Sequence, residues 1–448
     1  MISHLSVIFL FIIVILLYYS VKEKLLLYIP ILEAVREVFF FWMPSQNREI
    51  GFLIIYTIII IKLLNKPLSF LTNSWKKKIV NKYNFAAVIF FLFLVFGLLR
   101  TTNFLLSIQK VWEYSIVVFI LPISIIYVLQ NKSRINIYIR ACYISAAIYI
   151  SSILFFSFFQ LGRTFSYGGH SIIFLGGLSL WRLYAPLYLS IFTVLFSIFL
   201  KDNKLDIFVS PKRLFHVFWI FINIIFIGLI FLIGKRAFII LPPLGILVFY
   251  FSFYKLSITK YIRIILFGIL LYFAAYAIGF NEKINHILFI ERQLADKEIT
   301  QEGRYLEYED YFIEVRYRDN MFILFGEEIF NSRAVFFQKS NLIFDRDRIL
   351  HSDITHFLYG IGILGLLSFF FLLIRLFIIA RIAYKGSVKS KQTQFIWSVF
   401  ITIYLVSFAH NFTGGIFLLS GKIIQWQMMG ILIGILIINN KMIVKNAR

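Results

Sequence analysis

A single cysteine, Cys142, stands among 448 residues. No intrachain disulfide can brace such a chain, even in an oxidising compartment, so any domain outside a membrane must be held by packing. Acidic residues are few as well: 22 Asp and Glu against 45 Lys and Arg leave a net charge of +23. The long apolar runs have interiors almost free of ionisable groups, with Glu113 and Lys422 toward the edges. A transporter or pump usually keeps such groups near the bilayer midplane, so their scarcity argues that chemistry takes place at a membrane face. Small residues are missing behind the first apolar run, residues 5–19, where Val21-Lys22-Glu23 occupies the place of a cleavage site. That run is expected to be a retained helix rather than a secretory signal. The chain shows neither an internal repeat nor a low-complexity linker.

What remains is mostly hydrocarbon. Hydrophobic residues make up 60% of the chain, 54 residues are Phe, and the mean hydropathy is +0.85, too apolar for a water-soluble surface. A span needs roughly 20 apolar residues, and lipid offers no partner to an unpaired backbone group, so helices are expected to dominate. Apolar runs at residues 5–19, 50–64, 84–99, 111–129, 141–160, 183–200, 215–233, 237–254, 264–279, 357–379, 395–409 and 422–438 predict an all-α polytopic integral membrane protein with about 12 transmembrane helices.

Basic residues set the orientation. Lys66, Lys76, Lys77, Lys78 and Lys82 share one connection, Lys132, Arg134 and Arg140 the next on that side, and Lys201, Lys204, Lys212 and Arg213 another. Lys255, Lys260 and Arg263, then Arg381, Lys385, Lys389 and Lys391, and finally Lys441, Lys445 and Arg448 complete the set, with only Asp202 and Asp206 among them. By the positive-inside rule this side is the cytoplasm, and both termini are expected there. The same asymmetry accounts for the net charge, so no nucleic-acid partner is implied. Residues 25–43 carry Glu33, Arg36 and Glu37 at helical spacing, which favours an amphipathic interfacial helix over a span. The expected organisation is nine spans within residues 1–279, an extracytoplasmic loop over 280–356, and three spans with a cytoplasmic tail over 357–448.

That loop holds 15 of the 22 acids and 10 basic residues. Within it, residues 303–330 are patterned as helix, with Leu306, Tyr308, Phe312 and Val315 on a face expected to lie on the membrane domain. Cations that break the positive-inside pattern are informative: Arg100, Lys110, Arg163, Arg182, Lys235, Arg236 and those of the loop. Lys235 and Arg236 follow Gly234 in a short hairpin, with Pro242-Pro243 beyond. A helix N-terminus beside an arginine is a competent anion site, and a guanidinium grips phosphate in bidentate fashion. The same cations also read as a C-terminal helix cap that snorkels to lipid headgroups. Arg304, directly after Gly303, is a further anion-binding candidate, whereas Arg316 and Arg318, interleaved with Glu307, Glu309 and Glu314, read as surface ion pairs as readily as ligand contacts. Asp345-Arg346-Asp347 has the acid-x-acid form that can hold a divalent cation, yet acids this dense produce such a triplet by chance, and no metal is assigned.

His351 is the sharpest candidate. It stands among Asp345, Asp347 and Asp353, before a span that opens with Gly360, Gly362 and Gly365. An imidazole with an ordinary pKa of about 6.5 can take a proton from a hydroxyl, and Asp353 is near enough in sequence to orient it. His356 is its rival; His170 and His410 read as structural.

The run His351-Ser352, followed by Gly362 and Gly365 late in a many-span chain, resembles the signature of the O-antigen ligase and O-antigen polymerase superfamily. Gly234-Lys235-Arg236-Ala237 looks like its small-residue-Arg-small-residue hairpin, and Gly303-Arg304 followed by Ile323-Leu324-Phe325-Gly326 resembles the start and middle of its large loop. The likeness covers residues 215–410. Ser352 stands where Asn is commoner, Lys235 adds a cation to the hairpin, and Glu327-Glu328 replaces a second glycine near Gly326. The resemblance implies a metal-independent, cofactor-free, inverting glycosyltransferase of the membrane-embedded GT-C-like type in the bacterial inner membrane, serving lipopolysaccharide biosynthesis. Its donor would be a glycan carried on undecaprenyl pyrophosphate, its surroundings membrane lipids, and its protein partner a polysaccharide chain-length regulator. Catalytic roles then fall to His351, Arg236 and Arg304, with substrate contacts from Lys235, Arg163, Arg316, Arg318 and Asp353. The polymerase, which extends the chain on its lipid carrier, is favoured; the ligase to lipid A core and a lipid-linked oligosaccharide flippase are the alternatives.

Overall fold

The computed structural model describes residues 22–39, 45–64, 74–158, 162–167, 170–175, 178–179, 184–202, 213–232, 236–254, 303–331, 350, 352–413 and 419–439, with isolated positions 12, 15 and 19. A 3-10 turn, Lys22–Tyr28, enters α1 (Ile29–Phe39), followed by α2 (Ser45–Leu64), α3 (Ser74–Leu98), α4 (Phe104–Gln130) and α5 (Ser133–Phe158). Three short strands come next, β1 (Gly162–Tyr167), β2 (His170–Leu175) and β3 (Leu178–Ser179). Then follow α6 (Tyr184–Asp202), α7 (Arg213–Leu232), α8 (Arg236–Tyr254), α9 (Gly303–Tyr317), α10 (Asn320–Phe325), α11 (Asp353–Gly386), α12 (Lys391–Thr413) and α13 (Leu419–Ile438).

Among the described residues six helices, α3, α4, α5, α11, α12 and α13, are long and apolar enough to cross a membrane, and α2, α6, α7 and α8 hold shorter apolar stretches. The chain is thus a predominantly helical membrane protein. Helices occupy ten of the apolar runs read from the sequence, while those at 5–19 and 264–279 lie largely outside the described residues. A small three-stranded sheet accompanies the dominant helices. Thr164 and Phe165 of β1 oppose Ile173 and Ile172 of β2, the β-branched and aromatic cross-strand pairs that favour a sheet. Gly168-Gly169, between them in the sequence, has the composition of a two-residue hairpin connection.

The bundle is built around α13. Its segment Gly421–Ile438 is 100% buried, enclosed by α4, α6, α11 and α12. At Gly430 a Cβ would fall 2.6 Å from the carbonyl oxygen of Leu121, so a small residue is what allows α13 and α4 to meet backbone to backbone. Aromatic contacts fasten α3 to α11, with the Phe90 ring 5.4 Å from Phe357 and 5.3 Å from Phe369.

α1 turns its charged face into the protein: Glu33, Arg36 and Glu37 are all buried. Arg36 pairs with Glu33 at 2.8 Å, Tyr56 of α2 donates to Glu33, and Tyr149 of α5 donates to Glu37 at 3.0 Å. Hydropathy alone misreads such a segment, because its charges are neutralised by one another and by phenols from neighbouring helices.

α8 and α12 run antiparallel. A Cβ at Gly245 would sit 3.4 Å from Val406 and 3.5 Å from Thr402, and nearer the other end Gln394 donates to the carbonyl of Phe253. Carried back along α8, this register sets Arg236 level with the last turn of α12.

Candidate active site at the start of helix α11

Ser352 begins α11. Its backbone is extended (φ −86°, ψ 140°), and its hydroxyl accepts from the amides of Ile354 and Thr355, with Asp353 in the first turn. Serine caps a helix as asparagine does, which explains how Ser352 stands where the resemblance leads one to expect Asn. The same hydroxyl is a junction. It donates to the carbonyl of Asn411 in α12 at 3.2 Å and shares a 2.9 Å hydrogen bond with the Tyr308 hydroxyl of α9. Arg304 lies one helical turn before Tyr308, and Arg236 is level with the turn that contains Asn411. Ser352 thus ties the start of α11 to α9, the helix that carries Arg304, and to the turn of α12 level with Arg236.

Side-chain placement divides the candidates. His351 and Lys235 lie outside the described residues, as do Asp345 and Asp347, and Arg163, Arg236 and Arg304 are described by backbone alone. Arg163 is in β1, opposite Phe174. Arg316 is exposed. Arg318 is exposed too, bonded to Glu314 at 2.9 Å and Glu327 at 3.2 Å and set over the Phe322 ring, the surface ion pair that was one of its two readings.

Asp353, expected to contact substrate, is 0% exposed and faces the protein interior. Tyr114 of α4 donates to its Oδ1 at 2.6 Å, and Lys422 of α13 pairs with its Oδ2. Lys422 also donates to the Tyr114 hydroxyl at 2.6 Å and lies 4.6 Å from the centre of that ring. One turn along, Glu113 pairs with Lys110 at 2.7 Å. The sequence set Glu113 and Lys422 at the edges of spans; both are instead enclosed by protein, and each has an opposite charge within reach. His356 is buried, its Nε2 3.0 Å from the carbonyl oxygen of Leu350, a structural position rather than a catalytic one.

α11 is two helices joined at Gly362. Thirty-four residues at about 1.5 Å each would reach about 51 Å, well beyond the ~30 Å of a hydrocarbon core. Gly362 breaks the ladder with φ 65° and ψ −169°, a region essentially reserved for glycine. The break frees the carbonyl of Tyr359, which accepts from the amides of Glu327 at 2.7 Å and Glu328 at 3.2 Å. Gly326, itself at φ 68°, makes room for that contact: a Cβ there would fall 2.5 Å from backbone atoms of Gly360 and Ile361. Two motif pieces, residues 324–326 and 360–362, are thus a single backbone-to-backbone joint.

Glu328 tightens the joint. Its carboxylate accepts from the Thr101 hydroxyl and the Thr102 amide, each at 3.2 Å, and from Asn331 at 3.0 Å, while the Ser107 hydroxyl donates to the carbonyl of Ile329 at 2.6 Å. Glu328 therefore clamps the segment that follows α10 to the α3–α4 turn. In α9 the buried side differs from the expected apolar face. Glu307, Asp310 and Tyr311 are buried and Phe312 is exposed, with Tyr359 donating to Asp310 at 2.5 Å. Burial pushes the Tyr311 phenol up to about 12, so it stays neutral.

Sequence reasoning missed Tyr114, Lys422, Tyr308, Asn411 and Glu328. Lys422 alone carried a readable signal, a cation inside an apolar run. No ionisable cluster with metal-ligand geometry occurs among the described residues. No protein-family model and no curated protein matches the sequence.

Proposed function

We propose that this protein joins undecaprenyl-pyrophosphate-linked oligosaccharide repeat units at the outer face of the bacterial inner membrane, as an inverting polymerase of surface polysaccharide. The junction at Ser352 is the observation that supports this reading, because the Tyr308 hydroxyl of α9 and the Asn411 carbonyl of α12 meet there at the start of a kinked helix. Chemistry follows from the residue types. An acceptor hydroxyl attacks the anomeric carbon of the donor from the face opposite the diphosphate, forming the new glycosidic bond as the bond to the phosphate oxygen breaks. His351 takes the hydroxyl proton. Arg236 and Arg304 stabilise charge on the departing diphosphate, a leaving group good enough to need no general acid.

Deletion of the gene is expected to leave single repeat units on lipid A. Loss of all glycan from lipid A, with long chains held on the carrier, would indicate the ligase instead. His351→Ala and Arg236→Ala are each expected to abolish polymer at unchanged protein level, and retained polymer in both would end this mechanism.

A lipid-linked oligosaccharide flippase is the second reading, favoured by the enclosed charges Glu33, Arg36, Glu37, Lys110, Glu113, Asp353 and Lys422, the kind of group that transporters bury. A flippase deletion would confine the lipid-linked repeat to the cytoplasmic leaflet, whereas a polymerase deletion leaves it accessible from outside.

A further inference from the structure

We propose that the exposed face of α9 and α10 is an interaction surface for lipid, sunk into the headgroup layer of the membrane at the kinked end of α11. Helix α9 is inside out for a segment bathed in water. Its buried side carries Glu307 and Asp310, whereas Phe312, Ile313, Arg316 and Tyr317 form the exposed face, continued in α10 by Met321 and Leu324. Phe312 is 61% exposed and Tyr317 83%. Apolar residues exposed singly need no explanation, but a run of them along one face marks contact with another apolar body.

The surroundings of the patch point to lipid as that body. α10 ends against the membrane-spanning limb of α11, where a Cβ at Gly362 would fall 2.4 Å from backbone atoms of Leu324 and Phe325, and the Phe325 ring lies 5.4 Å from Phe96 of α3. Both spans turn apolar stripes outward here. Phe85, Val88, Leu92 and Phe96 are exposed on α3, and Ile363, Leu367 and Ile374 on α11, each set at the spacing of a single helix face. α9 packs at the same level, since Tyr311 and Phe322 share a cluster with Leu366 and Phe370 of α11. The patch is therefore continuous with the lipid-facing surface of the bundle.

Length gives the depth. From Gly362 to Lys385, in the last turn of α11, the helix rises about 35 Å at ~1.5 Å per residue, more than the ~30 Å of hydrocarbon and less than the ~40–45 Å that includes both headgroup layers. The kink, with α10 against it, thus stands at headgroup level. An amphipathic element there sinks its apolar side about 5–10 Å toward the acyl chains. Arg316, exposed beside Tyr317, has the length to reach back to lipid phosphate and water.

The test places a fluorophore on Phe312→Cys in the full chain, reconstituted into vesicles of phosphatidylethanolamine and phosphatidylglycerol. Cys142 is 0% exposed and stays unlabelled. Lipids bearing a nitroxide should quench the label, with a greater loss of fluorescence when the nitroxide lies near the headgroup than when it lies deep in the acyl chain. Leu367→Cys on α11 gives the reference for a side chain that faces lipid. Aqueous iodide should quench position 312 weakly, and Tyr317→Cys repeats the measurement if Phe312→Cys fails to fold.

Strong quenching by iodide with none from lipid would put the face in water and overturn the proposal. Quenching by neither would mean that protein covers it, a second copy of this chain if Phe312→Cys molecules also cross-link to one another, and would overturn it equally. None of these measurements needs turnover, so the lipid surface stands or falls apart from the glycosyl-transfer reading.

Discussion

Replacing Gly362 by alanine tests the joint between the outer loop and the kinked helix. At φ 65° and ψ −169° a Cβ-bearing residue carries about 1–3 kcal/mol of backbone strain. The added methyl has nowhere to go, since its carbon would lie 2.4 Å from the carbonyl carbon of Leu324 and from the amide nitrogen of Phe325. Those are backbone atoms, which cannot rotate aside as a side-chain tip can. Overpacking of this kind costs a further ~1–3 kcal/mol, so the substitution should weaken docking by about 2–6 kcal/mol. Even the lower figure shifts the balance of docked and undocked loop about 30-fold, at 1.4 kcal/mol per tenfold. Limited trypsin digestion is the assay, because Arg316 and Arg318 are exposed just before the joint. Cleavage there should quicken and polymer formation should fall together. Wild-type digestion and wild-type activity in Gly362→Ala would refute the idea that residues 324–326 and 360–362 form one rigid contact.

Glu328→Ala should loosen the loop by about 1–3 kcal/mol, the cost of leaving the buried Asn331 amide without its carboxylate partner; faster digestion at the same arginines is the readout. Ser352→Asn is expected to keep polymer formation, whereas Ser352→Ala removes the cap and costs about 1 kcal/mol or more of stability in a melting assay. Arg318→Ala should change stability by no more than about 1 kcal/mol and leave polymer length unaltered, as its ion pairs are exposed. Activity of purified protein should persist in the presence of a chelator, and its loss with recovery on adding a divalent cation would bring Asp345 and Asp347 back as ligands.

Much of the helical layout was readable from hydropathy, because a span must be apolar over a fixed length, and ten of the runs are helices. The kink was half readable. Gly360, Gly362 and Gly365 announced a close approach, but not that its partner is the Leu324-Phe325-Gly326 stretch, since a backbone amide meeting a freed carbonyl leaves no mark on side-chain pattern. Glu33, Arg36 and Glu37 misled for the opposite reason: spacing reveals that charges share a face, but not that Tyr56 and Tyr149 arrive to cover them. The pairing of Asp353 was not legible, because Lys422 lies 69 positions away in sequence.

One consequence of the enclosed helix α13 concerns how the molecule is made. Lys422, Gln425 and Gln427 give it buried polar groups in its N-terminal half, and lipid offers such groups no partner. During synthesis α13 leaves the ribosome after the four helices that wall it in. Biogenesis must therefore hold a gap among those helices, with Asp353 and Tyr114 waiting at its rim, until the last segment slides into place; a chain halted before α13 would present that gap, and an unmatched carboxylate, to whatever quality-control machinery patrols the membrane.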